Sequence, residues 1–349
     1  MLLRSAYYLA SIISPKVEAM AGKDDSYPPF DLKRSRFDSS TFLGRLSQIL
    51  VQFDPRKLLV SDQELDKAIS AIDNYKKQGR EPHKQGNPSD VELWRAKELV
   101  ESRCHPDDGK KILLPFCFAA YVPMQPVIIL GMLWPGGSVA NQVFWQWYNQ
   151  SYNAMVWYHN KNKSSPLSNF DLFKSYFLAC ASGIGLSAGI QMWGESMGAR
   201  RSSMAATVVR SGAPFVGCVG AGWASLISMR FDELRNGVYL FDQEGVQYGK
   251  SKIAAREGIA KCCAARVFWN IPALVFSPIL LNYYYRTAFH AANPKMLIPV
   301  NLLVSTSMVS LGVYPAQAVF TQKAEISAAK LEPEFRTLGI EKFYFNKGL

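Results

Sequence analysis

Four amide side chains recur at helical spacing within the stretch FWQWYNQSYNA, residues 144–154. Gln146, Asn149, Gln150 and Asn153 are three or four positions apart, so a helix would place them on one face. An amide donates and accepts hydrogen bonds without carrying a charge. Such a face could bind the carboxylate and ammonium of an amino acid, or the carboxylates of a di- or tricarboxylate. It could equally hold neighbouring helices together in lipid, and both interpretations stay open.

A second candidate is the tripeptide His105-Pro106-Asp107, which resembles the signature of J-domain cochaperones. A J-domain needs a soluble helix after it, whereas this tripeptide is followed by Gly109 and a long apolar run. Proline, aspartate and glycine here are typical of a turn. Alternatively, His105 and Asp107 could lie at a membrane entrance and meet a zwitterionic solute there.

Arginines stand at the ends of the apolar segments. Arg210 and Arg230 flank one segment, Arg266 precedes the next, and Arg286 ends it. An arginine at the end of a membrane helix usually reaches the lipid headgroups. An anionic substrate would need one or two of them as counter-charge, and Arg230 is the candidate. The apolar segments contain no Asp or Glu that could relay protons.

Other kinds of chemistry are poorly supported by the sequence. There is no Walker motif, no dinucleotide-binding glycine motif after a strand, and no HExxH zinc motif. The six cysteines have no paired CxxC spacing and the four histidines are scattered, so neither a metal site nor a disulfide framework is indicated. We therefore expect neither an enzyme nor a cofactor.

The elements that would position these residues are apolar and long. Residues 112–134 run without a charge for about the length that a helix needs to cross a bilayer. Further apolar segments cover 139–158, 175–193, 211–229, 267–285 and 296–320. The segment 139–158 is too polar to face lipid, so we expect it to be shielded by its neighbours. The fold class predicted is an all-α membrane protein with about five spanning helices and one polar membrane-level helix.

The flanking regions are hydrophilic. Residues 27–111 predict a small soluble region of three helices, which begin near Thr41, Ser61 and Ser89. Residues 230–266 predict a loop that contains a short β-hairpin, and residues 321–349 a polar tail. Residues 1–26 form an extension that is a mitochondrial presequence, a weak secretory signal, or upstream sequence before a natural start at Met20.

The charge distribution agrees with a lipid partner. The net charge is +11, and residues 112–349 carry 20 basic and 11 acidic residues, so +9 of it accompanies the apolar part. Basic residues beside apolar segments usually face phospholipid headgroups. No basic stripe interleaved with aromatic residues, as nucleic-acid binding would require, appears outside the apolar regions. No nucleic-acid partner is expected, and the oligomeric state stays open.

Several blocks of sequence resemble the sideroflexins, a family of mitochondrial inner-membrane carriers. They are FDLKRSRFDSSTFLGRLSQILVQFDPRKLLVSDQEL (30–65), LWRAKELVESRCHPDDGKK (93–111), FWQWYNQSYNA (144–154), SKIAAREGI (251–259), LEPEF (331–335) and the final FNKGL. The blocks PPFDL, LLPF and MLWP are most similar to the fifth branch of the family, which is associated with citrate. Where the family usually has asparagines before a Met-Arg pair, this chain has GAGWASLISMR, which keeps only Met229-Arg230.

The resemblance implies transport of serine and other small neutral amino acids into mitochondria for one-carbon metabolism. Citrate is the second substrate that it implies. A rival from another class is a non-transporting membrane scaffold for the assembly of respiratory or iron-cofactor proteins, and the missing asparagines favour it. The candidate solute contacts are Gln146, Asn149, Gln150, Asn153, His105, Asp107 and Arg230.

Overall fold

A computed structural model describes residues 27–78, 88–105, 109–134, 137–160, 168–200, 204–319 and 323–346. The described chain divides into two compact units. The first unit holds the described residues within 27–130, 152–160 and 280–314. The second unit holds those within 131–151, 168–279 and 315–346. Each unit is described by itself.

The three helices predicted near the N-terminus are confirmed. They are α1 (Phe42–Gln52), α2 (Asp62–Gln78) and α3 (Asp90–Arg103). Thr41 accepts a hydrogen bond from the Gly44 amide and so caps α1. At the start of α2, Ser61 and Glu64 exchange hydrogen bonds, as a capping box requires. Ser89 and Glu92 do the same at the start of α3.

These helices enclose a small aromatic core in the first unit. Phe30, Ile72, Leu93 and Trp94 are buried together. The Trp94 indole donates to the Pro28 carbonyl at 2.8 Å, which fixes the chain before α1. After α1, the ring of Phe53 lies 5.4 Å from that of Phe118, where the first apolar helix begins. The N-terminal region is thereby attached to the apolar part of its own unit.

The apolar part consists of long helices. They are α4 (Phe118–Met132), α5 (Val139–Asn160), α6 (Asn169–Arg200), α7 (Met204–Met229), α9 (Lys252–Ile271), α10 (Ser277–Tyr285) and α12 (Leu297–Val319), with a short α8 (Phe231–Asn236) before α9 and a short α11 (Ala288–Ala292) before α12. Within the described residues, four stretches are long and apolar enough to cross a membrane: Asn169–Ser196, Gly212–Met229, Lys252–Tyr285 and Pro294–Val319.

The first apolar segment differs from its prediction. The sequence leads us to expect a spanning helix over residues 112–134, but α4 has only 15 residues and is about 22 Å long. A 3₁₀ turn at Leu114–Phe116 precedes it, because Pro115 interrupts the run. The polar α5 is also absent from the four candidate spans. The expected count of five spanning helices plus a polar one is therefore met only in part.

The interruption predicted over residues 230–266 is shorter than expected. A helix begins at Lys252, and α9 continues through a π-helical turn at Pro272–Phe276 into α10. Ala254, Ala255, Gly258, Ile259, Cys262 and Ala265 form the buried face of α9. The charged residues between these positions made the stretch look like a loop, whereas its buried residues recur at helical spacing.

The predicted hairpin is present and belongs to a larger sheet. Strands β1 (Val238–Phe241) and β2 (Gln247–Ser251) pair antiparallel. Two strands from the segment expected to be a polar tail, β3 (Lys323–Ser327) and β4 (Lys342–Asn346), complete a four-stranded sheet in the order β2-β1-β4-β3. Leu240, Leu331, Phe343 and Phe345 are almost fully buried in its core. The chain is thus mostly helical rather than all-α.

The C-terminal segment also contacts the start of α9. The Glu332 carboxylate accepts hydrogen bonds from the backbone amides of Lys252 and Ile253, at 2.9 and 3.1 Å. Ser251 accepts a third bond, from the Ala254 amide. An acidic side chain at a helix N-terminus satisfies amides that have no partner within the helix. The sheet therefore fixes the first turn of the Lys252–Tyr285 span.

Candidate solute site

The four amides of the predicted face lie on one continuous helix, α5. Gln146, Asn149 and Gln150 are buried, and Asn153 is half-buried. The opposite side of α5 exposes Phe144, Trp147, Met155 and Tyr158. The amide stripe therefore faces protein while aromatic and apolar side chains face outward, as expected for a helix shielded on its polar side.

Gln146 and Asn149 converge on a cysteine of α7 in the second unit. The Gln146 amide nitrogen donates to the Pro214 carbonyl at 3.2 Å and lies 3.7 Å from the Cys218 sulfur. The Asn149 amide nitrogen is 3.5 Å from the same sulfur. We call Gln146, Asn149 and Cys218 the cysteine cluster. It contains several donors and acceptors and no formal charge.

Two glycines make room for the cysteine cluster. A Cβ atom at Gly217 would come within 2.7 Å of the Gln146 amide nitrogen and 2.8 Å of the Gly183 carbonyl. One at Gly183 would lie 3.0 Å from the Cβ of Ala221. α6 and α7 therefore approach through small residues, as their glycine content predicts. Any larger residue at Gly217 would displace the Gln146 side chain.

Asn153 has a different set of partners, in the first unit. Its side-chain oxygen accepts from the Gln125 amide at 3.2 Å and from the Tyr121 hydroxyl at 3.4 Å. We call Tyr121, Gln125 and Asn153 the tyrosine–amide cluster. The predicted stripe thus supplies two separate polar groups rather than one patch with common partners.

Sequence reasoning missed several polar residues that join the cysteine cluster's helices. Gln142 is buried, donates to the Met132 carbonyl at 2.6 Å, and accepts from the Ser187 hydroxyl at 3.4 Å. The buried Gln191 donates to the Gly137 carbonyl at 3.3 Å. The signal for Gln142 was available, since it precedes Gln146 by one helical turn. Gln191 stands alone in an apolar run and offered no such signal.

The sequence GLSAG, residues 185–189, matches the G-x-S-x-G pattern of serine hydrolases. In those enzymes the serine lies on a sharp turn between a strand and a helix. Here Ser187 lies in the middle of α6, is fully buried, and donates to the Gln142 side chain. The match is therefore one of sequence only, and the hydroxyl joins two helices.

His105 and Asp107 have different outcomes. His105 is buried, and its backbone amide donates to the Lys110 carbonyl at 2.8 Å. The Gly109 amide donates to the His105 carbonyl at 3.0 Å. These bonds connect the two ends of the predicted turn, whose residues 106–108 lie outside the described residues. Asp107 lies outside the described residues, so a role for the pair at a membrane entrance stays a prediction.

Arg230 is buried at the end of α7 and already has an acidic partner. Its guanidinium forms an ion pair with Glu233, one turn further along, and lies 3.8 Å from the Cys262 sulfur. A cation that is neutralised locally is a poor counter-charge for an anionic substrate. The position therefore favours a structural role for Arg230, at the junction of α7 and α8.

Comparison with known proteins identifies the family. A family model described as Sideroflexins matches residues 31–349. This chain belongs to the sideroflexin family. A sideroflexin of Dictyostelium discoideum is 34% identical over 334 residues, covering 93% of this chain and 99% of the relative. No solved structure matches this sideroflexin.

Two further relatives show how the identity extends through the family. Rat sideroflexin-5 is 32% identical over 323 residues, which cover 92% of this chain and 93% of the relative. Mouse sideroflexin-1 is 30% identical over 328 residues, with coverage of 92% and 99%. The similarity therefore includes the apolar helices and the C-terminal sheet of this sideroflexin, as well as the N-terminal blocks.

The described part of this sideroflexin holds no group of three or more His, Cys, Asp or Glu side chains that could bind a metal ion. Apart from Arg230, which is paired with Glu233, the polar groups buried among its described apolar helices are amides, hydroxyls and thiols. Such groups can hydrogen-bond both ends of a zwitterion, but they provide no counter-charge for a multiply charged anion. The geometry thus suits a small polar solute without net charge.

Proposed function

We propose that this sideroflexin is a transporter of the mitochondrial inner membrane that moves small neutral amino acids, with serine as the first substrate. Membership of a family generally described as metabolite transporters supports this proposal. The four helices that are long and apolar enough to cross a membrane support it as well. Because transport requires no bond to be made or broken, we expect alternating access rather than covalent chemistry.

The observation that carries the proposal is the pair of neutral polar clusters along α5. Polar side chains in a membrane part are costly unless they are paired, and they commonly mark solute paths. Amide oxygens can accept from the serine ammonium, while amide nitrogens and hydroxyls can donate to its carboxylate and hydroxyl. The cysteine cluster and the tyrosine–amide cluster each offer both kinds of group.

The backbone of α4 supports a solute path at the tyrosine–amide cluster. Gln125 lies between Pro123 and Pro126, neither of which has an amide hydrogen. The carbonyls of Ala119 and Val122 therefore lack their usual donors four residues later. Freed carbonyls of this kind are typical of helices that line binding sites in transporters. They would add acceptors for an ammonium group on the same helix as Tyr121 and Gln125.

Citrate fits the described groups less well than serine. A tricarboxylate needs cationic partners, and neither cluster contains Lys or Arg. Arg230, the candidate counter-charge, is paired with Glu233. Citrate therefore serves as the comparison substrate in the test below.

A membrane scaffold is the second candidate function, and one observation favours it. Gln142, Gln146 and Asn149 contact groups on neighbouring helices, which is what structural amides in a membrane do. A scaffold would co-purify with stable protein partners and would carry no flux in liposomes that contain only this chain.

The test of transport is uptake of labelled serine and labelled citrate into proteoliposomes. We expect saturable serine uptake by the wild type and little citrate uptake. The double variant Asn149→Ala, Asn153→Ala should lose at least about tenfold in serine uptake, because it removes hydrogen bonds to charged groups of the solute. Absence of flux with the wild type contradicts the proposed function.

A matched control comes from the same helix. Asn141 donates to the Gly131 carbonyl at 2.9 Å, so it is hydrogen-bonded to the end of α4. It belongs to neither cluster. Asn141→Ala should lower the unfolding temperature and leave the KM for serine unchanged. If the double variant is folded and keeps the wild-type KM for serine, neither cluster belongs to the solute path.

A further inference from the structure

A separate group of polar side chains lies where the last two candidate spans are joined. The Lys252–Tyr285 span ends at Tyr285, and the Pro294–Val319 span begins nine residues later. The ring of His290, in the short α11, packs against Tyr284 at 4.9 Å and Tyr285 at 5.3 Å between ring centres. We call Tyr284, Tyr285, His290 and Asn301 the His290 cluster. All four residues belong to the first unit.

Tyr285 and Asn301 are hydrogen-bonded within this cluster. The Tyr285 hydroxyl donates to the Asn301 side-chain oxygen at 2.8 Å, and the Asn301 nitrogen donates to the Leu297 carbonyl at 2.7 Å. Asn301 is 1% exposed. Thr287 caps α11 by accepting from the His290 backbone amide and donates its hydroxyl to the Tyr284 carbonyl. These bonds fix the backbone of the connection and the position of the two tyrosines.

Two other polar atoms of the cluster are buried without a partner. The Tyr284 hydroxyl and the His290 Nδ1 atom are both shielded from solvent, and neither has a hydrogen-bond partner within the described chain. Most buried polar groups in folded proteins are paired, and an unpaired one costs stability. Two such atoms on side chains whose rings touch indicate that a bound molecule supplies the missing partner.

The chemistry of the two atoms and of their surroundings indicates what that molecule presents. A tyrosine hydroxyl donates, and Nδ1 donates in the tautomer that carries its proton there. The connection RTAFHAANPKM, residues 286–296, carries Arg286 and Lys295 and has no acidic residue. Two donors in a locally positive environment suit an acceptor with negative charge. A carboxylate, which the zwitterionic solute carries, meets both conditions.

We propose that Tyr284 and His290 form an access site that binds the carboxylate of the transported solute at one mouth of the membrane part. The inference rests on the proposed function and names a binding group beyond the clusters of α5. The solute carboxylate accepts from the Tyr284 hydroxyl and from His290 Nδ1. Tyr285 and Asn301 hold the cluster in place through their mutual bond.

Adjacent tyrosines give a matched pair of variants for the test. Tyr284→Phe removes the buried hydroxyl, whereas Tyr283→Phe removes a hydroxyl from a residue that is 77% exposed. In proteoliposomes, Tyr284→Phe should raise the KM for serine roughly tenfold, because a hydrogen bond to a charged group is lost. Tyr283→Phe should leave the KM unchanged. His290→Phe, which keeps a ring in place but loses Nδ1, should behave as Tyr284→Phe does.

Thermal unfolding of the purified full chain tests binding without requiring flux. Saturating serine should raise the unfolding temperature of the wild type and of Tyr283→Phe. It should raise that of Tyr284→Phe much less, because a ligand stabilises the folded state only to the extent that it binds to it. Ethanolamine keeps the amine and hydroxyl of serine but lacks the carboxylate, so it should not distinguish the variants. Without solute, Tyr284→Phe should be as stable as the wild type or more stable.

The outcomes separate the two proposals. An equal serine-induced shift in Tyr284→Phe and Tyr283→Phe overturns the access site, as does the absence of a shift in the wild type. A carboxylate-dependent shift in the wild type that Tyr284→Phe loses, in a protein without flux, supports the site and contradicts the transport function.

Discussion

The N-terminal helical region and the membrane part join their helices by different means. In the N-terminal region the ammonium of Lys57 donates to the Val51 carbonyl, the Glu98 carbonyl and the Ser102 hydroxyl, at 2.6 to 2.9 Å. Arg36 and Glu98 form an ion pair at 3.0 Å, with 6% and 11% of their side chains exposed. The helices of the membrane part are joined mainly by neutral amides, hydroxyls and close glycine contacts, and the Arg230–Glu233 pair lies at the end of α7.

The difference follows from the solvent. A charge near water keeps part of its hydration, and its remaining bonds can go to the carbonyls at helix ends. A charge surrounded by lipid costs far more, so neutral groups replace it there. With few charges to join the helices, close packing must contribute more of the binding between them. The two regions should therefore respond to different substitutions.

The largest effect should come from closing the space between α4 and α5. A Cβ atom at Gly131 would come within 1.9 Å of the Trp145 ring, which is rigid and cannot move aside without shifting α5. We expect Gly131→Ala to destabilise the protein by about 3 kcal/mol, at the upper end for overpacking. The unfolding temperature of the detergent-solubilised protein measures this effect.

Gly185 on α6 is the control for Gly131. A Cβ atom there would meet nothing within 4 Å. Gly185→Ala should therefore stabilise its helix by about 0.5 to 1 kcal/mol, because alanine loses less chain entropy than glycine on folding. Equal destabilisation by both substitutions would show that close contact is not what joins these helices.

The charged connections of the N-terminal region should give a smaller, pH-dependent effect. Burial lowers the pKa of Lys57 from 10.5 to about 8, and nearby Glu98 only partly offsets it. Between these values the unfolded chain binds more protons than the folded one, so this group makes stability rise with pH. From pH 7 to 9.5 the gain amounts to about 2 kcal/mol.

Lys57→Met isolates this contribution, since it keeps the apolar stem and removes the amine. The unfolding temperatures of wild type and variant are compared at pH 7 and at pH 9.5. The difference between the two proteins should change in favour of the wild type at the higher pH. A difference that is constant with pH would show that Lys57 retains its ordinary pKa in the folded state.

Local patterns predicted the helices of the N-terminal region because each carries its own start signal, such as Ser61 with Glu64. They also predicted the amide stripe, since helical spacing is visible in the sequence. The pairing of Phe241 with Tyr344 could not be predicted from local patterns, because it joins residues about a hundred positions apart. For the same reason the sequence did not reveal that Asn153 would contact Gln125 while Asn149 contacts Cys218.

The His290 cluster could not be predicted from the sequence either. Tyr284, His290 and Asn301 have no common spacing, and nothing in their order distinguishes them from other aromatic and polar residues near a helix end. Only the fold brings their rings together and shows which atoms have no partner. Sites made of neutral groups give weak sequence signals, because they use residue types that are common elsewhere.

The central claim is that neutral polar groups carry a solute without net charge. Serine uptake into proteoliposomes with and without an imposed membrane potential tests it most directly. One unit charge moved through 100 mV changes the driving free energy by about 2.3 kcal/mol, or up to about 50-fold in rate. We predict equal serine uptake at zero potential and at an imposed potential of about 100 mV of either sign. A strong dependence on potential, or no uptake at either, would contradict the account.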